Sequence, residues 1–371
     1  MPDDSRLAVA FGGPSPEHDV SILTGLQAGR ELHNAGSNVD ALYWSKTGEW
    51  FRVDPTLEAS EFVDGVPRSG EPLQLVVGDQ GGFRAPARMG RARPVEIETV
   101  VNCCHGGPGE DGSLQAVFDL AGIRYTGPSA AGAALGMDKL AFGALVGASG
   151  LPSLPRSLLT PDTADVGFPG PYIVKPRFGG SSIGVEVVAD LATATARLGA
   201  NPHLRAGAVV EPFRQDLFDL NIAVRTWPQV ELSAVERPLR SAEGAEILGY
   251  ADKYVGGEGM VSAPRQLPAD IDPALHEALR AHARSVCALA SVRGVARIDF
   301  LSDGDALYVN EVNTIPGSLA KYLWVEPDLP FGSLLADLVE EARRRPTAQH
   351  TAAGADGTVL RSAGAIAAKL S

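Results

Sequence analysis

The chain has 371 residues, 44% of them hydrophobic and 21% charged, with a formal net charge of −13. That length supports two or three domains, and the acidic balance argues against general nucleic-acid binding, which needs a basic face. Cys103, Cys104 and Cys287 are too few for a paired disulfide framework and lack the spacing of a zinc site.

The first residues are polar and acidic (Asp3, Asp4), with no leader pattern, and no apolar run approaches the ~18 residues of a membrane span. The expectation is a cytoplasmic protein with no membrane partner. "RLAVAFGG" predicts a strand over residues 6–11, "DVSILTGLQAGRELHNAG" a helix stopped at Gly36, and "VDALYWS" a second strand. This is the βαβ opening of a parallel sheet. Residues 52–95 are rich in Gly and Pro and read as hairpins or loops. "IETVVNCCHGG" is a buried strand ending in a polar loop, "GSLQAVFDLAG" a helix and "IRYTG" a short strand.

Near Pro128 the pattern resets. "MDKLAFGALVGASG" predicts a helix, "GPYIVKP" and "IGVEVV" two strands around a glycine loop, "LATATARLGA" a helix and "AVVEPF" a strand. A third unit carries the longer strands "LNIAVRTW", "VELSAVERPL", "GVARIDFL" and "ALYVNEVNT", with helices over "PALHEALRAHARSVCALAS" and "FGSLLADLVEEARRR". The fold class is α/β, with α+β character after the first unit. The expected domains are 1–128, 129–210 and 211–345, followed by a tail, 346–371, in which "TVLRSAGAIAAKL" can form a helix.

"IVKPRFGGSSIGV", residues 173–185, delivers Lys175 from a strand end into a turn that is nearly all backbone. Glycines let amides approach an anion and lysine adds a charge, so the stretch reads as a phosphate site or as a plain hairpin turn. In "RIDF…YVNEVN", Glu311 and Asn313 share a strand face and Val312 points away. A hairpin would bring Asp299, with Arg297 on its own face, beside Glu311. Two carboxylates and an amide suit Mg²⁺; the alternative is a solvated face. Lys139, Lys175 and Lys253 stand at element boundaries in a lysine-poor chain, and with Mg²⁺ ligands they fit a triphosphate. "GYADKYVGGEGM" reads as a glycine-bearing loop able to close as a lid. "FGGPSPEHDVS" and "CCHGGPGEDGSLQ" end strands of one parallel sheet, where ligands bind. Glu17 can hold a substrate amine there; His105, Glu110 and Asp111 can line the crevice, or the last two can cap a helix.

These stretches, with "YTGPS", "GMDK" and "NEVNTIPGS", resemble in order the D-alanine–D-alanine ligase branch of the ATP-grasp superfamily, from residue 11 to about 318. The resemblance implies three domains, with ATP gripped between the second and third. It implies an acyl phosphate formed on one amino acid and attacked by the amine of another. It assigns Lys139, Lys175, Lys253 and the loop with Gly180 and Ser182 to nucleotide phosphates, and Glu211 and Phe213 to the hinge beside adenine. Asp219, shifted by one residue from the family pattern, takes the ribose role. Asp299, Glu311 and Asn313 hold two Mg²⁺ (or Mn²⁺) ions; Arg297 and the Gly317 amide form the oxyanion hole. Glu17, tied to Ser181 and Tyr254, binds the first substrate's ammonium group, near His105.

The chain departs from the family after "NTIPGS". Tyr322 replaces an expected serine at the second substrate's carboxylate, with Lys321 before it and Trp324 after. Lys321 and Tyr322 are therefore candidate substrate contacts, and the alternative is a repacked loop. The resemblance also allows a homodimer. Three functions follow: D-alanyl-D-alanine synthesis for peptidoglycan, a specialised dipeptide ligase with another acceptor, or a nucleotide-binding protein without turnover.

Overall fold

The computed structural model describes residues 6–78, 80–87, 92–239, 264–345 and 352–363. Lys253, Tyr254 and the expected lid over 246–262 lie outside the described residues. The described strands form three sheets.

The first has eight strands: β1 (Arg6–Gly12), β2 (Asn38–Trp44), β3 (Trp50–Val53), β4 (Glu71–Val76), β5 (Gly82–Ala85), β6 (Arg93–Pro94), β7 (Thr99–Asn102) and β8 (Arg124–Tyr125). Their order is β6-β5-β4-β3-β2-β1-β7-β8. The pairs β1–β2, β1–β7 and β7–β8 are parallel, and β2–β3 begins an antiparallel run out to β6, so the Gly- and Pro-rich stretch extends the sheet. Helix α1 (His18–Asn34) crosses between β1 and β2; α2 (Gly107–Glu110) and α3 (Ser113–Ala121) cross between β7 and β8. Alternation along β1 sends Leu7, Val9 and Phe11 to the α1 face, and Ala8 and Ala10 to the face covered by Leu114 and Phe118 of α3.

The helix expected over "MDKLAFGALVGASG" forms as α5 (Lys139–Ala148), and a helix that no expectation covers, α4 (Ala130–Met137), precedes it. Asp138 separates them in an extended conformation, with ψ 96°. Its carboxylate accepts from the amides of Leu140 and Ala141, capping α5, and from the Arg177 guanidinium at 2.8 and 2.6 Å. A four-stranded antiparallel sheet follows: β9 (Ser157–Leu159), β10 (Tyr172–Pro176), β11 (Glu186–Val188) and β12 (Ala208–Pro212), in the order β11-β10-β12-β9. Helix α6 (Leu191–Ala200) covers it. Residue 210, the expected end of the second domain, lies inside β12.

The third sheet is β15-β14-β13-β16-β17, antiparallel throughout: β13 (Phe218–Arg225), β14 (Glu231–Pro238), β15 (Arg265–Gln266), β16 (Val295–Ser302) and β17 (Leu307–Asn313). Helix α7 (Pro273–Leu289) packs Leu279, Ala283 and Val286 against Leu220, Ile222, Ile298 and Phe300. That apolar face leaves the opposite face for polar residues. Beyond β17 a 3₁₀ turn, Gly317–Leu323, contains Ser318, Leu319 and Ala320 with φ of +49°, +50° and +53°. Left-handed backbone is costly for residues with a Cβ. Here Leu319 and Ala320 are buried in the core shared with α1 and the amphipathic helix α8 (Phe331–Arg344), and that packing holds the turn. The described part of the tail contains α9 (Thr358–Ser362). No described helix is long and apolar enough to cross a membrane.

Candidate active site

Two adjoining cavities lie where the three sheets meet. The larger runs between the four- and five-stranded sheets. Its walls include Leu154, Ile173, Ile183, Val185 and Leu217, and its polar end carries Lys139, Lys175, Ser182, Asp299 and Glu311. The end of β12 contributes Glu211, the hinge segment after it Phe213, and β13 Asp219. An apolar slot ending in cations and carboxylates suits a flat base with an anionic tail. The smaller cavity reaches the N-terminal sheet and is lined by Glu17, His105, Ser181, Arg297, Asn313 and Gly317, among others. Lys139, Gly179, Gly180 and Glu311 line both, so the cavities are continuous at that point.

The loop between β10 and β11 forms this junction. Ser181 and Ser182 adopt left-handed φ of 53° and 58°. Left-handed residues in a turn group backbone amides into an anion-binding concavity. The Lys139 ammonium donates to the Gly179 carbonyl at 2.7 Å and to Glu311 at 2.9 Å, joining the loop to β17. The Ser181 hydroxyl donates to Glu17. Two glycines make room for that carboxylate: a Cβ added to Gly106 would lie 2.3 Å from Glu17 Oε2, and one added to Gly180 2.7 Å from the same atom. Glu17 itself immediately precedes α1, where the helix dipole favours a negative charge.

The strand register puts Asp299 opposite Glu311 and Arg297 opposite Asn313. Arg297 grips Asp299 with two bonds, of 2.6 and 2.7 Å, and the Asn313 amide donates to Asp299 at 3.0 Å. A bulge then shifts the pairing, so that Phe300 faces Val309 and Asn310 is the extra residue. Strict alternation would turn Asn310 away from Glu311; the bulge lets both line the larger cavity. No described group of three His, Cys, Asp or Glu residues could hold a metal. Two carboxylates and one amide are an all-oxygen donor set too small to enclose an ion, which fits Mg²⁺ shared with phosphate oxygens and water.

Glu211 is fully buried and lies between two cations, Lys175 Nζ at 2.8 Å and Arg156 Nε at 2.6 Å. Burial pushes its carboxyl up, but the charges of Arg156 and then Lys175 outweigh this and leave it below the usual carboxylate value. Arg156 escaped the sequence reading; its only signal is one arginine in the otherwise uncharged run "LPSLPRSLL".

Family models for the N-terminus and the C-terminus of D-ala D-ala ligase match residues 6–128 and 153–340. The chain belongs to the D-alanine–D-alanine ligase family. These are ATP-grasp ligases that form peptide bonds. Its relatives include the D-alanine–D-alanine ligase of Nocardia farcinica, 30% identical over 94% of this chain and 99% of that protein, and that of Bradyrhizobium, 29% identical over 92% and 95%. The fold matches D-alanyl-alanine synthetase A from Vibrio cholerae, at a TM-score of 0.76 and 22% identity over 92% of this chain and 99% of that one. It also matches a D-Ala:D-Ser ligase from Enterococcus faecalis, at a TM-score of 0.74 and 23% identity over 92% of this chain and 100% of that one.

In this ligase-family chain the N-terminal domain is latched to the loop after β17. His105 is buried, with Nδ1 2.6 Å from the Ile315 carbonyl and Nε2 2.7 Å from the Thr24 hydroxyl. A carbonyl only accepts, so Nδ1 carries the proton and Thr24 donates to Nε2. Burial lowers the His105 pKa to about 4, keeping the ring neutral. Glu110 accepts from the amides of Gly106 and Ile315, each at 2.9 Å, and from the Thr314 hydroxyl at 3.2 Å. Burial, then the charge of Glu17, raise its pKa to about 7. Of the two acids whose role was open, Glu110 lines the crevice, whereas Asp111 accepts from the Ser113 amide in the turn before α3.

On the acceptor side the departures from the family separate. Tyr322 lies beneath the Arg265 guanidinium, 4.9 Å from the ring, and Arg265 pairs with buried Glu236 at 3.0 Å. Its hydroxyl is buried, within reach of the charges of Arg297, Glu236 and Asp299, and burial raises its pKa. The Lys321 ammonium lies over the Phe331 ring at 4.8 Å, and none of Lys321, Tyr322 and Trp324 lines the two cavities; Trp324 is buried in the α1–α8 core, against which Tyr322 also packs.

Proposed function

We propose that the protein joins D-alanine, as the carboxylate donor, to a second amino acid, with ATP driving the bond. The observation that carries this is the continuity of the two cavities at Lys139, the 179–180 backbone and Glu311. The apolar slot takes the base, with Glu211 and Phe213 at the hinge and Asp219 toward the ribose. Lys139, Lys175 and the loop with Gly180 and Ser182 take the phosphates; Lys253 is assigned to the transferred phosphoryl group by its motif. Asp299, Glu311 and Asn313 would hold two Mg²⁺ ions, which supply charge neutralisation at the transferring phosphoryl group.

Glu17 holds the donor's ammonium group and orients its carboxylate toward the junction, with Ser181 fixing the Glu17 rotamer and Tyr254 assigned to the same network. The carboxylate oxygen takes the terminal phosphoryl group and ADP leaves. The second amino acid, as free amine, forms its bond to the acyl carbon, and inorganic phosphate departs with the bonding pair and takes up the proton the amine gives up. Arg297 and the Gly317 amide are placed to stabilise negative charge on the acyl oxygen, a fixed-dipole contribution of the kind that dominates acyl transfer. His105, neutral and held from both sides, shapes the donor end and takes no proton.

A specific observation favours an acceptor other than D-alanine: a tyrosine packed under the Arg265 guanidinium stands within reach of Arg297, where the family resemblance expects a serine. ADP release is to be measured with Mg²⁺, ATP, D-alanine as donor and a panel of acceptors, with product masses. The expected result is amine-dependent ADP release with a higher kcat/KM for an acceptor other than D-alanine. Absence of amine-dependent ADP release would point to a nucleotide-binding protein without turnover. D-alanine winning the panel would return the chain to peptidoglycan D-alanyl-D-alanine synthesis.

A further inference from the structure

Arg156 touches three parts of the nucleotide cavity without lining it. Its Nε forms an ion pair with Glu211 Oε1 on β12, at 2.6 Å but without hydrogen-bond alignment. Its Nη1 donates to the Lys139 carbonyl at 2.9 Å, at the start of α5. Its Nη2 donates to the Asn310 carbonyl and, at 3.3 Å, to Asn310 Oδ1, at the β17 bulge. Glu211, Lys139 and Asn310 all line the cavity. The guanidinium is enclosed, with only 4% of the side chain exposed.

The fold makes space for it. Gly143 lies inside α5, where glycine weakens a helix by roughly 1 kcal/mol relative to alanine. A Cβ there would lie 2.8 Å from Arg156 Cδ and 3.2 Å from Nη1.

Glu211 shares its charge between Arg156 on one oxygen and Lys175 on the other. If Lys175 were the only partner, moving its ammonium to a phosphate would strand a bare carboxylate in a dry site. Breaking a buried pair in that way is strongly unfavourable. With Arg156 fixed on the other oxygen, the movement leaves a neutral pair behind.

We propose that Arg156 is a positioning residue for nucleotide binding: by holding Glu211, it frees Lys175 to serve the phosphates. This rests on the reading of the larger cavity as the nucleotide site. The test is calorimetric binding of the non-hydrolysable ATP analogue AMP-PNP with Mg²⁺ to the full chain and its variants, with folding checked by circular dichroism. Arg156→Met is expected to weaken binding tenfold or more. Adding Glu211→Gln to that variant removes the charge that traps Lys175, and is expected to bring binding close to that of Glu211→Gln alone, the reference that carries any loss at the hinge itself. Arg156→Lys keeps the charge and is expected to stay within about threefold of the unaltered protein.

A purely structural arginine predicts the reverse: the double variant binds no better than Arg156→Met, and the lysine variant fails with it. Either result overturns the proposal, as does unchanged binding by Arg156→Met. Should Arg156→Met not fold, Arg156→Lys alone decides. Failure of the unaltered protein to bind the analogue would overturn the nucleotide reading itself, and the Arg156 inference with it.

Discussion

Glu311 meets the Lys139 ammonium at 2.9 Å and stands opposite Asp299 across the register, so it serves both a protein cation and the proposed metal face. Glu311→Gln keeps the shape and removes the charge. We expect a folded enzyme whose ADP formation falls on the order of 100-fold or more, since each ~1.4 kcal/mol of barrier is tenfold. Near-normal turnover in a folded variant would remove Glu311 from the essential set. Gly180 offers a sharper steric probe, because its added Cβ would meet Glu17 Oε2 at 2.7 Å without a positive φ to confuse the result. Gly180→Ala is expected to raise the donor KM roughly tenfold, about 1.4 kcal/mol, with little change in melting temperature. An unchanged KM would separate Glu17 from donor binding. Much of the site was readable at this scale. Lysines at element boundaries, and a carboxylate and an amide two apart on a strand, keep their geometry wherever the strand lies. Arg156 and Thr24 were not readable, because each acts only through partners far away in the chain.

The latch between the N-terminal domain and the loop after β17 joins elements about 200 residues apart. At its centre Glu110 takes three hydrogen bonds, two of them from Thr314 and Ile315. Its folded pKa is about 7 against an ordinary 4.5, so the folded protein holds a proton that the unfolded chain releases. The associated stability is fully present below about pH 4.5 and is lost as pH rises through about 7, with a slope of at most about 1.4 kcal/mol per pH unit. Denaturant midpoints across that window should fall with rising pH in the unaltered protein, and less steeply in Glu110→Gln. Equal slopes would show that Glu110 is ionised in the fold. Sequence periodicity located most elements, yet it passed over α4 and missed the β17 bulge. Asp138 caps α5 through the Leu140 and Ala141 amides, and Arg177, distant in the chain, also pairs with it. The bulge at Asn310 depends on the partner strand, whose pairing no local pattern displays.

Across the whole molecule, the proposed nucleotide contacts come from two sheets at once, so ligand should stabilise them jointly. At 100 times its dissociation constant, Mg·AMP-PNP is expected to add about 2.7 kcal/mol and raise the melting temperature. A saturating ligand that leaves the melting curve unmoved would contradict a site shared by both sheets. The order of the three units was legible, because hydrophobic period and glycine punctuation are local. Which core each helix joins was not: α8 follows the third sheet in the chain, but its Leu334, Leu335 and Leu338 pack with Val9 and Phe11 of β1. That placement has a consequence for biosynthesis. The ribosome releases the N-terminal sheet long before it makes the helix that covers one of its faces. At about 5–20 residues per second, the roughly 220 residues from β8 to the end of α8 take on the order of 10–40 s. During that time an apolar face is bare in the cell. A fragment ending at residue 128 should therefore bind a hydrophobic dye or be held by chaperones, and a soluble, dye-silent fragment would show that α1 alone suffices. The newborn chain is thus exposed to chaperones and proteases until its last major helix emerges.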